Sequence, residues 1–191
     1  MSNPESLAQS QVSDIRQRIG GLEFFRQMMA GTLPPPPMVA LLGMRLVDVD
    51  EGRIVFAAEP LEAFYNGLGI AHGGFAATLL DSSLGCAINT MMPAGRVMTT
   101  LELKINYTRP LRREVGEVRC EATVIHVGSR TGTSEGRIVD ANGKIYAHGT
   151  STCIVVERTG SRGSQGSRGS QGSVGSQGSG GSQGSGGSLG S

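Results

Sequence analysis

The sequence carries almost no excess of either charge. Over 191 residues its formal net charge is +1, and no stripe of Lys and Arg interleaved with aromatics runs along it. Phosphate binding needs a basic footprint, so no nucleic-acid partner is expected. Cysteine is scarce and odd in number. Cys86, Cys120 and Cys153 lack paired spacing, and each falls within an apolar stretch. That argues against a disulfide framework and for a reducing compartment, with the thiols acting as small buried hydrophobes. No His/Cys/Asp cluster has metal-ligand spacing, so no metal is expected. No run approaches the ~18 apolar residues of a membrane span. Residues 1–30 bear charges throughout, unlike the apolar core of a signal peptide. These absences predict a soluble, cytoplasmic protein without a membrane partner.

Three parts are expected: an N-terminal helical arm with a Pro-rich spacer (1–43), one folded domain (44–157) and a tail (158–191). From Gly160 the tail is a Gly/Ser/Gln repeat with almost no apolar residues, a composition that predicts disorder. In the arm, residues 5–18 are polar and weakly helical. Leu22, Phe24, Phe25, Met28 and Met29 form a helical stripe ending at Gly31. Pro34 to Pro37 make a stiff spacer, and Met38 to Leu42 allow one further turn. The arm reads as a lid over a pocket or, more simply, as surface cover.

The domain opens with two strand-like runs, Met44 to Val49 and Arg53 to Glu59, joined at Asp50-Glu51-Gly52. From Gly74 the chain reads as one long helix, apolar on nearly every side and stopped by Pro93 and Gly95. Four more strand-like runs follow, at 97–107, 115–127, 131–140 and 144–156. In the first, Leu101, Leu103 and Ile105 alternate with Thr100, Glu102 and Lys104. The order predicts an α+β domain in which an antiparallel sheet of about six strands, ending in a four-strand meander, curls around one buried helix.

Chemistry concentrates at two places on that helix. The turn His72-Gly73-Gly74 lies at its start, where the first amides have no internal partner and face the positive end of the helix dipole. Two glycines would let a ligand carbonyl approach those donors, or would simply permit tight packing of helix on sheet. His72 is assigned the role of holding the turn. The second place is Asp81, a carboxylate within the apolar helix, which must be paired, solvated or used. It stands eight residues beyond Gly73, about 12 Å along the axis, too far for both to act on one carbonyl of the same chain, so Asp81 is either a structural acid or serves the amides of a second copy of the helix. Gly74, Ala77, Thr78, Asp81 and Gly85 form a face of mostly small residues, suited to the approach of a partner backbone or a ligand arm, which favours a dimeric active site. Asn66 and Thr100 are placed to offer polar help.

The segment Asn66…His72-Gly73-Gly74-Phe75-Ala76-Ala77-Thr78-Leu79-Leu80-Asp81, followed by Thr99 to Pro110 (TTLELKINYTRP), resembles the hotdog-fold acyl-CoA thioesterases, in particular the phenylacetate-pathway (PaaI-like) group. The similarity runs from about Leu41 to Val156. It implies a helix wrapped by a sheet, homodimers with two shared active sites, and often homotetramers. It implies an acyl-CoA substrate and no cofactor, since coenzyme A is part of the substrate. By that resemblance Gly73 supplies the oxyanion amide and Asn66 assists the thioester carbonyl. Asp81 of the other subunit acts as general base or nucleophile, and Thr100 positions the water. Gly74 and the turn containing Ser129 and Arg130 are expected to bind substrate. Arg109, Arg112, Arg113 and Arg130 are candidates for the CoA phosphates.

Other readings are weaker. Gly132-Thr133-Ser134-Glu135-Gly136 matches a nucleophile elbow, but that motif needs a strand-turn-helix context and Ser134 sits among strands. A hotdog dehydratase or hydratase would use His72 in proton transfer. A non-catalytic acyl-CoA binding protein would have no use for Asp81, Asn66 and Thr100 together.

Overall fold

The computed structural model describes residue 12 and residues 14–157. The tail from residue 158 and most of the segment before residue 14 lie outside the described residues. Residues 14–18 are helical. Helix α1 (Gly21–Met29) follows and closes at Ala30, with Gly31 at φ 75°, the left-handed conformation that glycine adopts without cost. Helix α2 (Pro37–Leu41) has Pro37 in its first turn, where a missing N–H costs nothing. The strands are β1 (Arg45–Asp50), β2 (Arg53–Ala58), β3 (Arg96–Tyr107), β4 (Val118–Val127), β5 (Thr131–Val139) and β6 (Ile145–Glu157). Helix α3 (Gly73–Thr90) lies between β2 and β3 in sequence.

The six strands form one antiparallel sheet in the order β1-β2-β4-β5-β6-β3. Only β4, β5 and β6 form a meander. The expected four-strand meander is therefore corrected: β3 pairs with β6 at the far edge, and β2 pairs with β4. The cause is α3, which crosses the inner face of the sheet and delivers the chain to the edge opposite β1. The later strands then fill the gap.

Along α3, Leu79, Leu80, Leu84 and Ile88 are completely buried; the three leucines pack with Ile54, Phe56, Val118, Cys120 and Ile138, and Ile88 packs with Met92, Met98 and Cys153. Fully burying each such side chain is worth about 1.5–3 kcal/mol. The helix is not buried all round, however. Ala77, Thr78, Asp81, Ser82 and Gly85 are only half-buried, leaving the face of mostly small residues open in this chain.

The arm does more than cover a surface. Phe24, Phe25, Met28, Leu33 and Val39 are buried and belong to the main core. A Cβ on Gly21 would fall 1.6 Å from the Asn89 carbonyl oxygen, so only glycine lets α1 start against the end of α3. The Gly21 N–H donates to the Met92 carbonyl at 2.8 Å, fixing that junction.

Candidate active site

The start of α3 is capped by its own histidine. His72 precedes the helix with φ −59° and ψ 141°, and its Nδ1 accepts the Gly74 N–H at 2.9 Å. Its carbonyl accepts the Phe75 N–H at 2.9 Å. The ring is thereby committed to the turn, with Nδ1 as acceptor and Nε2 without a partner among the described residues. The Gly73 N–H has no partner among the described residues. Of the helix's leading amides, His72 occupies two and leaves Gly73's free.

Gly73 makes room for the end of β3, whereas Gly74 makes room for the capping ring. A Cβ on Gly73 would meet the Tyr107 ring and hydroxyl at 3.3 Å, and one on Gly74 would meet His72 Nδ1 at 3.0 Å. A tighter approach of helix to sheet occurs at Gly132, where a Cβ would be 2.8 Å from Ile88. Tyr107 itself donates its hydroxyl to the Gly73 carbonyl at 3.2 Å. Nothing in the alternation of β3 singled out Tyr107, whose role depends on where the strand ends.

Gly73 opens into a cleft of about 370 Å³ that also contains Asn66, His72, Tyr107, Arg109 and Leu111. Asn66 sits in a tight loop. Its Oδ1 accepts the Leu68 N–H at 2.9 Å, its backbone N–H donates to Ile70, and its carbonyl accepts from Gly69. The side-chain NH₂ has no partner among the described residues and remains a donor. Arg112 donates to the Gly69 carbonyl at 3.3 Å, so the same loop is held from outside. Arg113 pairs with Glu62.

Asp81 and Thr100 form a separate pair. Thr100 Oγ1 donates to Asp81 Oδ1 at 2.8 Å, and the other carboxylate oxygen has no partner among the described residues. Simple alternation puts Thr100 on the outer face with Glu102 and Lys104, and the structure corrects this. The register of β3 against β6 shifts between Thr100 and Glu102, a bulge at Leu101. Residues Met98 and Thr100 therefore face the helix, Leu101 is turned out at 60% exposure, and Leu103 and Ile105 resume the inner row. The bulge re-aims one hydroxyl at one carboxylate.

Asn89 holds the two elements in that relation. Its Oδ1 accepts the Met98 N–H at 2.7 Å, and its Nδ2 donates to the Met98 carbonyl at 3.1 Å and to Gly85 at 2.9 Å. A side-chain amide thus pairs with the backbone of β3 two residues before Thr100. An amide side chain in the last turn of an apolar helix was the available signal for it.

Within one chain the candidate residues form three groups. Asn66, His72 and Gly73 share the cleft, while Gly74 faces the other side of His72. Asp81 and Thr100 lie about 12 Å further along α3. Ser129 and Arg130 are exposed in the β4–β5 turn, whose Ser129 carbonyl accepts from Arg96 at 3.3 Å. That turn adjoins the first residue of β3, about 35 Å along the strand from Tyr107. Ser134, of the nucleophile-elbow match, is fully buried and donates its hydroxyl to the Leu84 carbonyl at 3.0 Å. Burial, and then the Asp81 carboxylate, push the Cys86 thiol up to about 12, and burial does the same to Cys120. Both are poor nucleophiles. Among the described residues no His/Cys/Asp/Glu cluster could hold a metal ion, and no helix is long and apolar enough to cross a membrane.

Residues 68–147 match the model of the Thioesterase superfamily. The phenylacetic acid degradation protein PaaI of Thermus thermophilus, solved in a mutant form, is 31% identical, with a TM-score of 0.57 over 62% of this chain and 98% of that one. The chain belongs to the thioesterase superfamily. This hotdog thioesterase is also 26% identical to a phenylacetic acid degradation-related protein of Ralstonia eutropha, at a TM-score of 0.63 over 68% of this chain and 98% of the other. A 1,4-dihydroxy-2-naphthoyl-CoA hydrolase of Listeria monocytogenes is 24% identical over 61% of this chain and 94% of its own length. The matched segment begins after Asn66 and leaves the N-terminal arm of this thioesterase outside it.

Proposed function

We propose that the protein hydrolyses acyl-CoA thioesters to the free acid and coenzyme A, in a site shared by the two subunits of a homodimer. The observation that carries this reading is the unpartnered Gly73 N–H at the start of α3, beside the free amide of Asn66 in one cleft. Those two donors suit the oxygen of a thioester carbonyl as it gains negative charge, and a well-placed oxyanion donor is worth about 2.7–4 kcal/mol. Asp81, with one oxygen held by Thr100 and the other free, suits deprotonation of a water. The hydroxide formed adds to the carbonyl carbon. Collapse of the tetrahedral intermediate then expels the CoA thiolate, which takes up a proton from solvent.

The 12 Å between Gly73 and Asp81 is resolved by a two-fold axis that sets two α3 helices antiparallel. Ala77 is midway between them, so the axis brings Gly73 of one copy toward Asp81 of its mate. The half-buried face of mostly small residues permits that approach, and β3 is an edge strand whose free side can pair with its symmetry equivalent. A dimer, or a tetramer built from it, is the expected assembly. In the cleft, Arg109 is the residue that suits the phosphate-bearing arm. Ser129 and Arg130 can join only from the partner, since they lie at the opposite end of β3. The capping bond of His72 argues against a dehydratase, because its Nδ1 is occupied and its role is positional.

The test is release of free CoA, measured with a thiol reagent over benzoyl-, phenylacetyl-, hexanoyl- and palmitoyl-CoA. Hydrolysis of at least one, lost in Asp81→Asn, is the expected result. No release from any of the four would overturn the reading in favour of a binding role.

A further inference from the structure

Two clefts meet at the start of α3, and formal charge is confined to one of them. The first holds Asn66, Gly73 and Arg109. The second lies across His72 and measures about 300 Å³. Its walls are Met38 and Leu42 from the N-terminal arm and Phe64 and Phe75, whose rings stack at 5.2 Å. Its floor is Gly74 and Thr78, and the Thr78 hydroxyl is committed to the Gly74 carbonyl at 2.9 Å. Met38 leaves 53% of its surface open and the neighbouring Leu41 75%, an unusual amount of uncovered hydrocarbon for so short a helix.

We propose that this second cleft receives the acyl group, and that residues 38–42 of the arm form the wall that sets acyl size. The proposal rests on the thioesterase reading above and adds a direction to it. A thioester has a hydrocarbon end and a long polar end bearing phosphates, with the carbonyl between them. When that carbonyl meets the Gly73 N–H, the two ends must leave on either side of His72. Keeping the phosphate-bearing arm beside Arg109 and the hydrocarbon against Met38, Leu42 and the stacked phenylalanines is the arrangement that strands neither charge nor apolar surface. A cavity of about 150 Å³ accommodates benzene, so this cleft has room for an aromatic ring or a medium-length chain. Residues 38–42 lie outside the segment matched by the family, so acyl choice is assigned to this chain's own arm.

The experiment uses the full chain and S-alkyl thioethers of CoA, which cannot be hydrolysed. Calorimetry measures the affinity of S-methyl-, S-hexyl- and S-octyl-CoA for the wild type and for Met38→Trp and Leu42→Trp, which fill the cleft from its wall. Wild-type affinity should rise with alkyl length. The tryptophan variants should weaken S-octyl-CoA roughly ten-fold while leaving S-methyl-CoA within about two-fold. Affinity independent of alkyl length, an equal loss across the series, or no loss in either variant would overturn the proposal. Dissociation of the assembly by Met38→Trp, seen in sedimentation, would also overturn it and make the cleft a subunit contact. Because binding is read without turnover, length-dependent affinity in a protein that releases no CoA would defeat the hydrolase reading and leave the cleft assignment standing.

Discussion

Thr100 donates its hydroxyl to Asp81 at 2.8 Å, from a strand whose bulge at Leu101 turns that hydroxyl inward. The bond fixes one carboxylate oxygen and leaves the other free. Replacing Asp81 with Asn keeps shape and volume but removes the base, and kcat should fall by about 10²–10⁴-fold with the thermal unfolding midpoint little changed. Thr100→Val should lower kcat by a smaller factor, roughly ten-fold, since the acid remains but loses its orientation. Steady-state kinetics on both variants would check this; equal activity in wild type and Asp81→Asn would remove the carboxylate from the mechanism.

Gly73 offers a cleaner test of the oxyanion donor than most helix starts allow. It is the first residue of α3, where proline is tolerated, and His72 already has the ψ of 141° that a residue before proline prefers. Gly73→Pro deletes the one free N–H while breaking no hydrogen bond that this amide makes. The variant should fold, needing only a small shift of the exposed Tyr107 hydroxyl end, and should lose about 10²–10³ in kcat. Circular dichroism and CoA release measured together separate a folded, inactive protein from an unfolded one.

Much of the architecture was legible because its signals are local. The Asp50-Glu51-Gly52 turn, the glycine at 31 and the proline stop at 93 each bound an element by conformational preference alone. The path of β3 was not legible. Sequence order suggests that it neighbours β4, whereas α3 carries it to the opposite edge. The facing of Thr100 was hidden for a related reason, since a one-residue bulge flips a strand's alternation without leaving a compositional mark. Of the candidate site, His72, Gly73 and Asn66 were readable because a helix start has fixed geometry. Asn89 and Tyr107 were missed because their importance lies in what another element brings beside them.

Asn89 makes a specific stability prediction. Asn89→Ala would leave the buried Met98 N–H and carbonyl without the side-chain amide that pairs with them. An unpaired buried polar group costs about 1–3 kcal/mol, so the unfolding midpoint should drop by several degrees. Because Met98 precedes Thr100 by two residues, kcat should fall with KM little changed. A variant as stable and active as wild type would show the clamp to be dispensable.

The cysteines set a prediction in pH. Burial raises Cys120 from an ordinary value near 9.0 to about 12, so in the folded protein it stays a neutral thiol where the unfolded chain would ionise. The group binds its proton more tightly when folded. Its contribution to stability is thus fully present below pH 9 and is lost as pH rises from about 9 toward 12. Alkylation of Cys120 should be negligible in native protein from pH 7 to 9 and rapid in denaturant, as mass spectrometry of the labelled peptide would show. Fast native labelling would contradict the burial argument.

The most direct test of the shared site is complementation between subunits. Gly73→Pro and Asp81→Asn are each expected to be inactive as homodimers. In a mixed dimer carrying one of each, purified through two different tags, one site unites the intact Gly73 of one subunit with the intact Asp81 of the other. The second site holds both lesions. With one site intact, this mixed dimer should recover about half of the wild-type CoA release. A mixed dimer as inactive as its parents would contradict the shared site, because the helix start and the carboxylate would then have to act within a single chain.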